Sequence, residues 1–439
     1  MKKFLAILLT LLLALSLGAS FAEEAAEENA GYTFDILSKV YDYHDSAIAV
    51  VIPLDCEVET ESMTTRTFSV YAKSTDMQHE DNLVYFEGYR TITDIYANST
   101  GEVGDKAESG NYIVIELLHG ANIDEAIVCP YFADTYAQSA MLTLEYTVTQ
   151  HADIGDVLPA GTAYTQGSLK TETVDEFAYG GNDAISYRLY SPELVEGEKY
   201  PLVIWLHGFG ERGTDNETTL RSNRGAVAFA EEEVQSKYPS FVMAAQASSS
   251  RAWSGEGMID SLLATIKDVI AENPAIDTDR VYISGVSSGG YGTWAALVAE
   301  PDLFAAAMPL APAYTVVGDD GFITDEYKEK LDQLTDKPIY IIHGDGDPVV
   351  DIHKTSDPTY QYLTEVVGNP NVLYTKIKDV SYAGRDHYTL HNVEVRVFNH
   401  DVVFDTSWSA DNPSGDLSIP YEKNDSTLTP FDWLYAQSK

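Results

Sequence analysis

Two patterns of hydrophobic spacing divide the chain. From Tyr32 to about Gln150 the apolar residues come in short alternating runs: "AIAVVIPL", "RTFSVYA", "NYIVIELL" and "AMLTLEYTV". Gly, Asn and Asp break the runs. Alternation puts every second side chain on one face of a strand, and Thr, Val, Ile and Tyr suit a half-buried pleated surface. The spacing predicts an antiparallel β-sandwich over 32–155. Beyond about residue 165 the runs become continuous. "YPLVIWLHG" (200–208), "FVMAAQA" (241–247), "RVYISG" (280–285), "AAAMPLAPA" (305–313), "KPIYIIHG" (337–344) and "NVLYTKI" (371–377) read as strands buried on both faces. Between them, "MIDSLLATIKDVIAEN" (258–273) sets Ile259, Leu262, Leu263, Ile266, Val269 and Ile270 along one helical face. Strands alternating with helices predict an α/β domain with a mostly parallel sheet over 166–439. Its last helix, "TPFDWLYAQ" (429–437), opens with a threonine cap and a proline in the first turn.

The first 22 residues, "MKKFLAILLTLLLALSLGASFA", have a charged start, an apolar middle and a small-residue end, the pattern of a secretory signal peptide cut after Ala22. The apolar run, about 15 residues, falls short of the ~20 that a membrane span needs. "EEAAEENAG" (23–31) lacks large apolar residues and reads as a disordered acidic leader. The mature protein is expected outside the cell, free of the membrane. A net charge of −42, from 69 acidic and 27 basic residues, repels nucleic acid and anionic lipid and argues against both as partners. Cys56 and Cys129 can form one disulfide in an oxidising compartment or stay as two thiols; spacing does not choose.

The chemistry gathers in the second half. "YISGVSSGGYGTW" (282–294) holds G-x-S-x-G between a strand and a helix, so Ser287 is the candidate nucleophile. The turn is tight enough to strain the backbone, which is why small residues must flank the serine. The helix start then faces the reacting carbonyl. Two backbone N–H groups should hold the oxyanion: that of Ser288, and that of Phe209 in "LHGFGERGTDN" (206–216). His207 stands before the glycine turn and reads as structural. "IIHGDGDPVV" (341–350) supplies the acid; Asp347 follows its strand by a short turn, with Asp345 and Asp351 as competitors and His343 packed at the strand end. His44, His79, His119 and His151 are scattered and read as ordinary. Asp319-Asp320 lacks a ligand-spaced loop, and neither metal nor cofactor is expected.

Three stretches in order, "YRLYSPELVEGEKYPLVIWLHGFGERGTDN", "DTDRVYISGVSSGGYGTWAALVAEPDLFAAAMPLAPA" and "KPIYIIHGDGDPVV", resemble the secreted bacterial esterases of the α/β-hydrolase superfamily. The nearest group is similar to polyhydroxybutyrate-depolymerase-like and feruloyl-type carbohydrate esterases, also described as prolyl-oligopeptidase-like hydrolases. Some of these carry an N-terminal immunoglobulin-like domain. The resemblance implies a Ser287 nucleophile, an Asp347 acid and a place near the cleft for Gln246. It implies a histidine in an H-x-x-W or H-x-S-W pattern before the last helix. Here "FNHDVVFDTSWSADNP" (398–413) keeps Ser407-Trp408 but has Asp405 where that histidine would stand. His400 is then the first candidate for the base, His387 the runner-up, and His391 a distant third.

The expected function is a secreted serine carboxylesterase working through an acyl-enzyme, with feruloyl or acetyl esters on plant polysaccharide as the substrates the resemblance suggests. The displaced histidine leaves room for an impaired hydrolase fold acting as a carbohydrate- or protein-binding module. A serine peptidase is the lesser alternative, because no propeller repeat precedes the domain.

Overall fold

The computed structural model describes residues 31–439 apart from 79–82, 134–136, 183–184, 379, 381–387, 399–403 and 406–426. The expected signal peptide, nearly all of the acidic leader, His79, His387, His400 and Ser407-Trp408 lie outside the described residues.

The N-terminal sandwich has a five-stranded sheet and a three-stranded sheet. The first runs β10 (Tyr164–Thr171), β1 (Tyr32–Val40), β2 (Asp45–Glu59), β6 (Ser109–Leu117), β5 (Ile92–Asn98). The second runs β4 (Val84–Arg90), β3 (Phe68–Asp76), β9 (Leu142–Gln150). Alternation along β9 buries Leu142, Tyr146 and Val148, which meet Phe34, Ile36, Val50, Ile52 and Ile115 of the facing sheet. A two-stranded hairpin, β7 (Tyr131–Phe132) with β8 (Gln138–Ser139), projects from this domain. The sandwich reaches further than 155. Strand β10 pairs with β1 in parallel, Tyr32 opposite Tyr164 and Ser38 opposite Thr171, so residues 166–171 belong to the first domain. "YTQGSLKT" is polar and half-exposed. Its edge pairing is made by the backbone, which hydrophobic spacing does not report.

The second domain is an eight-stranded sheet, ordered β11 (Ala178–Gly181), β12 (Ile185–Tyr190), β14 (Phe241–Ala247), β13 (Tyr200–Leu206), β15 (Ile276–Val286), β16 (Ala306–Leu310), β17 (Ile339–Gly344), β18 (Val372–Ile377). From β14 to β18 neighbouring strands are parallel; β11 and β12 are antiparallel at one edge. Every residue of β13 is buried, because both faces of the sheet are covered. Val203 and Trp205 pack with Phe229, Phe398, Phe431 and Trp433 on one side; Leu202, Ile204 and Leu206 pack with Trp253, Leu262, Ile266 and Trp294 on the other. The helix Met258–Glu272 buries Leu262, Leu263, Ile266 and Val269, the stripe its spacing implies. The helix Pro430–Tyr435 has Thr429 accepting from the N–H of Asp432, with Pro430 at its first position.

The two domains are joined by more than chain. Arg221 is buried and sends Nη1 to Asp45 Oδ2 at 2.7 Å and to Thr171 Oγ1 at 2.5 Å, while its Nε donates to Glu217 at 2.7 Å. Val40 of β1 packs with Val174, Phe177 and Leu220 in the α/β core. The helix Thr218–Arg221 thus bolts the sandwich to the sheet.

Candidate active site

Strand β15 ends at Val286 and the helix Ser288–Ala299 begins two residues later, with Ser287 alone between them. Ser287 has φ 55° and ψ −111°, a conformation strained for any residue with a Cβ. Three backbone hydrogen bonds hold it there. Its N–H donates to Leu310 O at 2.9 Å, and its carbonyl accepts from Tyr291 and Ala313, each at 3.0 Å. The flanking glycines are there for space. A Cβ on Gly289 would lie 1.9 Å from the Leu206 carbonyl oxygen, and one on Gly285 would lie 2.6 Å from the same atom. The elbow therefore presses against the end of β13, where the next loop starts.

That loop carries "HGFGERG". His207 is fully buried; the Ala247 N–H donates to its Nε2 at 3.0 Å, so the proton sits on Nδ1, 2.5 Å from Gly208 O. Burial pulls its pKa down to about 4, so it stays neutral. Its own carbonyl accepts from Trp253 Nε1 at 2.9 Å. His207 is a strut beneath the loop. Phe209 stands out from the surface, its ring 4.0 Å below the Arg212 guanidinium, which also donates to Phe209 O at 2.8 Å. Glu211 lies mostly buried at the foot of the loop, and desolvation raises its carboxyl to about 7.

Gln246 is not at the cleft surface. It is fully buried; its Oε1 accepts from Asn216 N at 2.7 Å, and its Nε2 donates to Glu211 O at 2.9 Å and Thr218 Oγ1 at 3.0 Å. Both ends of the amide are spent on fixing 211–218, and it has no free group to offer a substrate.

Asp347 follows β17 by three residues. Its Oδ1 accepts from the N–H groups of Val349 at 2.7 Å and Val350 at 3.0 Å. Its Oδ2 meets His343 Nε2 at 3.1 Å and His391 Nδ1 at 2.7 Å. Burial alone would raise this carboxyl; the hydrogen bonds from His343 and His391 outweigh it and hold it well below the ordinary carboxylate range. His343 is buried and held from the other side by Ser356 Oγ, 2.8 Å from Nδ1. Burial lowers its pKa, and it packs Asp347 in place.

Besides the buried His343, the described histidine that meets Asp347 is His391; the sequence pattern favoured His400 and then His387, which lie outside the described residues. His391 sits in a turn in which the Asn392 N–H donates to Thr389 O at 2.9 Å and Thr389 Oγ1 accepts from His391 N at 3.3 Å. The turn lies against Gly344, where a Cβ would be 1.9 Å from Leu390 O. The glycine ending β17 lets this turn come close enough for His391 to reach Asp347. With Nδ1 engaged by the carboxylate, Nε2 is the nitrogen left to accept a proton. The signal in the sequence was the order Ser, Asp, His, with a histidine just before a short helix, Glu394–Val397, after the last strand of the eight-stranded sheet.

Cys56 and Cys129 are both free thiols, and the buried Cys129 faces Ser222 Oγ at 3.5 Å. No group of metal-ligating side chains occurs among the described residues. Among them, too, no helix is long and apolar enough to cross a membrane.

An elbow serine, a glycine-rich loop at the neighbouring strand end and an acid with a histidine on it, all on a mostly parallel sheet, are the parts of an α/β-hydrolase. Comparison with known proteins agrees. Residues 33–162 match the family of the esterase Ig-like N-terminal domain, and residues 247–340 match the prolyl oligopeptidase family. A solved thermostable esterase is 28% identical, with a TM-score of 0.72, over 92% of this chain and 99% of that one. The protein is a serine hydrolase of the esterase type, an α/β-hydrolase with an N-terminal immunoglobulin-like domain. Looser overlaps include an acylaminoacyl peptidase from Pyrococcus horikoshii (TM-score 0.37, 19% identity, 51% of this chain and 40% of that). Another is Est1E from Butyrivibrio proteoclasticus (TM-score 0.34, 20% identity, 51% and 96%). No curated protein matches the chain.

Proposed function

We propose that the protein hydrolyses carboxylic esters through a Ser287–His391–Asp347 triad, with the N–H groups of Phe209 and Ser288 as the oxyanion hole. The observation that carries this reading is the 2.7 Å hydrogen bond from His391 Nδ1 to Asp347 Oδ2, which favours His391 as the base over the sequence candidates His400 and His387. Ser287 Oγ attacks the ester carbonyl while His391 Nε2 takes its proton. Asp347, its carboxyl held below the ordinary carboxylate range and so ionised at neutral pH, stabilises the imidazolium that forms. Charge on the carbonyl oxygen is met by the two N–H groups. His391 returns the proton to the leaving alcohol. Water then repeats the sequence on the acyl-enzyme and frees the acid and Ser287.

The substrates we propose are esters carried on plant polysaccharide, feruloyl or acetyl, on the strength of the motif resemblance. Residues 1–22 support export from the cell. The test is hydrolysis of p-nitrophenyl acetate by the wild type beside Ser287→Ala, His391→Ala, His387→Ala and His400→Ala, with a fluorophosphonate as the label for the nucleophile. Loss in the first two alone supports the triad. Retained activity in His391→Ala with loss in His400→Ala or His387→Ala sinks the assignment of the base. A wild type no faster than Ser287→Ala, and unlabelled, sinks the esterase reading.

A further inference from the structure

The oxyanion loop is gripped from outside its own domain. The hairpin formed by β7 and β8 of the immunoglobulin-like domain lies along residues 209–212. The Ser139 N–H donates to Gly210 O at 2.8 Å. Gln138 Nε2 donates to Arg212 O at 2.9 Å, and Arg212 Nη1 donates back to Ala137 O at 2.9 Å. The Tyr131 ring rests on Gly210, where a Cβ would lie 2.8 Å from Cε2. The same Arg212 guanidinium covers Phe209. The hairpin is itself anchored, with the Phe132 ring edge-on to Tyr85 at 6.0 Å and the Ala140 N–H donating to Pro130 O at 3.2 Å.

Loops place their own backbone poorly. An oxyanion hole needs an N–H fixed before charge develops, since a preorganised donor costs nothing to reorient at the moment of reaction. Here Gly208 and Gly210 flank Phe209, so the peptide N–H assigned to the hole gets little conformational restraint from its neighbours' side chains. On the sheet side His207 and Gln246 pin the stretch at both ends. On the open side the carbonyls of Gly210 and Arg212 are pinned by the other domain.

We propose that the immunoglobulin-like domain is a working part of the active site: Ser139, Gln138 and Tyr131 are positioning residues that hold the Phe209 N–H on the oxyanion. The proposal rests on the reading of Phe209 and Ser287 given above. It separates from a purely architectural role by where the loss falls. A misaligned oxyanion donor slows the chemical step and spares ground-state binding, so kcat falls and KM stays.

The test uses the full chain, p-nitrophenyl acetate, and active-site titration with a fluorophosphonate so that rates refer to competent enzyme. Gly210→Ala pushes its new methyl into Tyr131, and kcat should fall about tenfold with KM within about twofold, a displacement of the loop being enough for such losses. Tyr131→Ala removes the obstacle, so the double variant Gly210→Ala/Tyr131→Ala should match Tyr131→Ala alone. Gln138→Ala, which leaves the loop sequence intact, should lower kcat about threefold and weaken a trifluoromethyl ketone inhibitor by the same factor. Unfolding temperatures of all variants check that they fold. The proposal is overturned if Gly210→Ala and Gln138→Ala keep the wild-type kcat, if the losses appear in KM, or if Tyr131→Ala fails to relieve Gly210→Ala. A wild type that neither reacts with the fluorophosphonate nor hydrolyses the ester overturns the triad first, and the proposal with it.

Discussion

Asp347→Asn exchanges one carboxylate oxygen for an NH2, and its effect can be worked from the hydrogen bonds. Oδ1 accepts two backbone N–H groups, at 2.7 and 3.0 Å, so the amide oxygen of the new side chain must take that place. Its NH2 is then forced into the position of Oδ2, facing His391 Nδ1 at 2.7 Å and His343 Nε2 at 3.1 Å. An NH2 donates and cannot accept. His391 must present Nδ1 as an acceptor and carry its proton on Nε2, the nitrogen that should take the proton from Ser287. The fold survives, since size and shape barely change. The base is lost through its tautomer. The expected fall in kcat is about 10³–10⁴-fold, or roughly 4–5.5 kcal/mol of transition-state stabilisation. Initial rates on p-nitrophenyl acetate, normalised by fluorophosphonate titration and paired with a circular dichroism melt, measure it. A folded Asp347→Asn within tenfold of wild-type kcat would refute the reasoning, and with it the role given to His391.

Arg221→Met leaves Asp45 buried without its partner at the domain junction, and should cost about 3–5 kcal/mol in urea unfolding; a cost under about 1 kcal/mol would mean the junction does not depend on this pair. Glu211 holds its proton in the folded state up to about pH 7, whereas the unfolded chain releases it at the ordinary carboxylate value. The folded state therefore binds the extra proton in that window, and this stabilisation is lost as pH rises through it. Glu211→Gln should remove that dependence and gain up to roughly 3 kcal/mol over the wild type above pH 7, with no gain near pH 4, as read from unfolding at the two pH values. Gly289→Ala places a methyl 1.9 Å from the Leu206 carbonyl oxygen, which is backbone and cannot swing away. It should cost about 3 kcal/mol or more and abolish labelling of Ser287; a stable, active Gly289→Ala would contradict the packing described for the elbow.

The sequence was most legible where the physics is local. The elbow at Ser287 needs a strand, a one-residue turn, a helix and glycines, and all lie within 276–299. Asp347 could be picked out because a strand end, a short turn and a proline fall within ten residues of one another. Gln246 could not be interpreted in the same way. Its neighbours in the chain are small and apolar, and what uses its amide is a loop thirty positions away, brought over by the parallel pairing of β13 with β14.

The sequence by itself determined the kind of sheet in each half of the chain and the strand–turn–helix elbow at Ser287, because hydrophobic period and turn geometry are set by residues next to one another. Only the tertiary structure decided that His391 meets Asp347, where the sandwich ends and which outside residues grip the 209–212 loop. Each of those is a contact between segments far apart in the chain. The His391 turn reaches Asp347 through the space at Gly344, β10 joins β1 by backbone hydrogen bonds that side-chain pattern does not encode, and the hairpin meets Gly210 across the same domain junction that the Arg221–Asp45 pair spans.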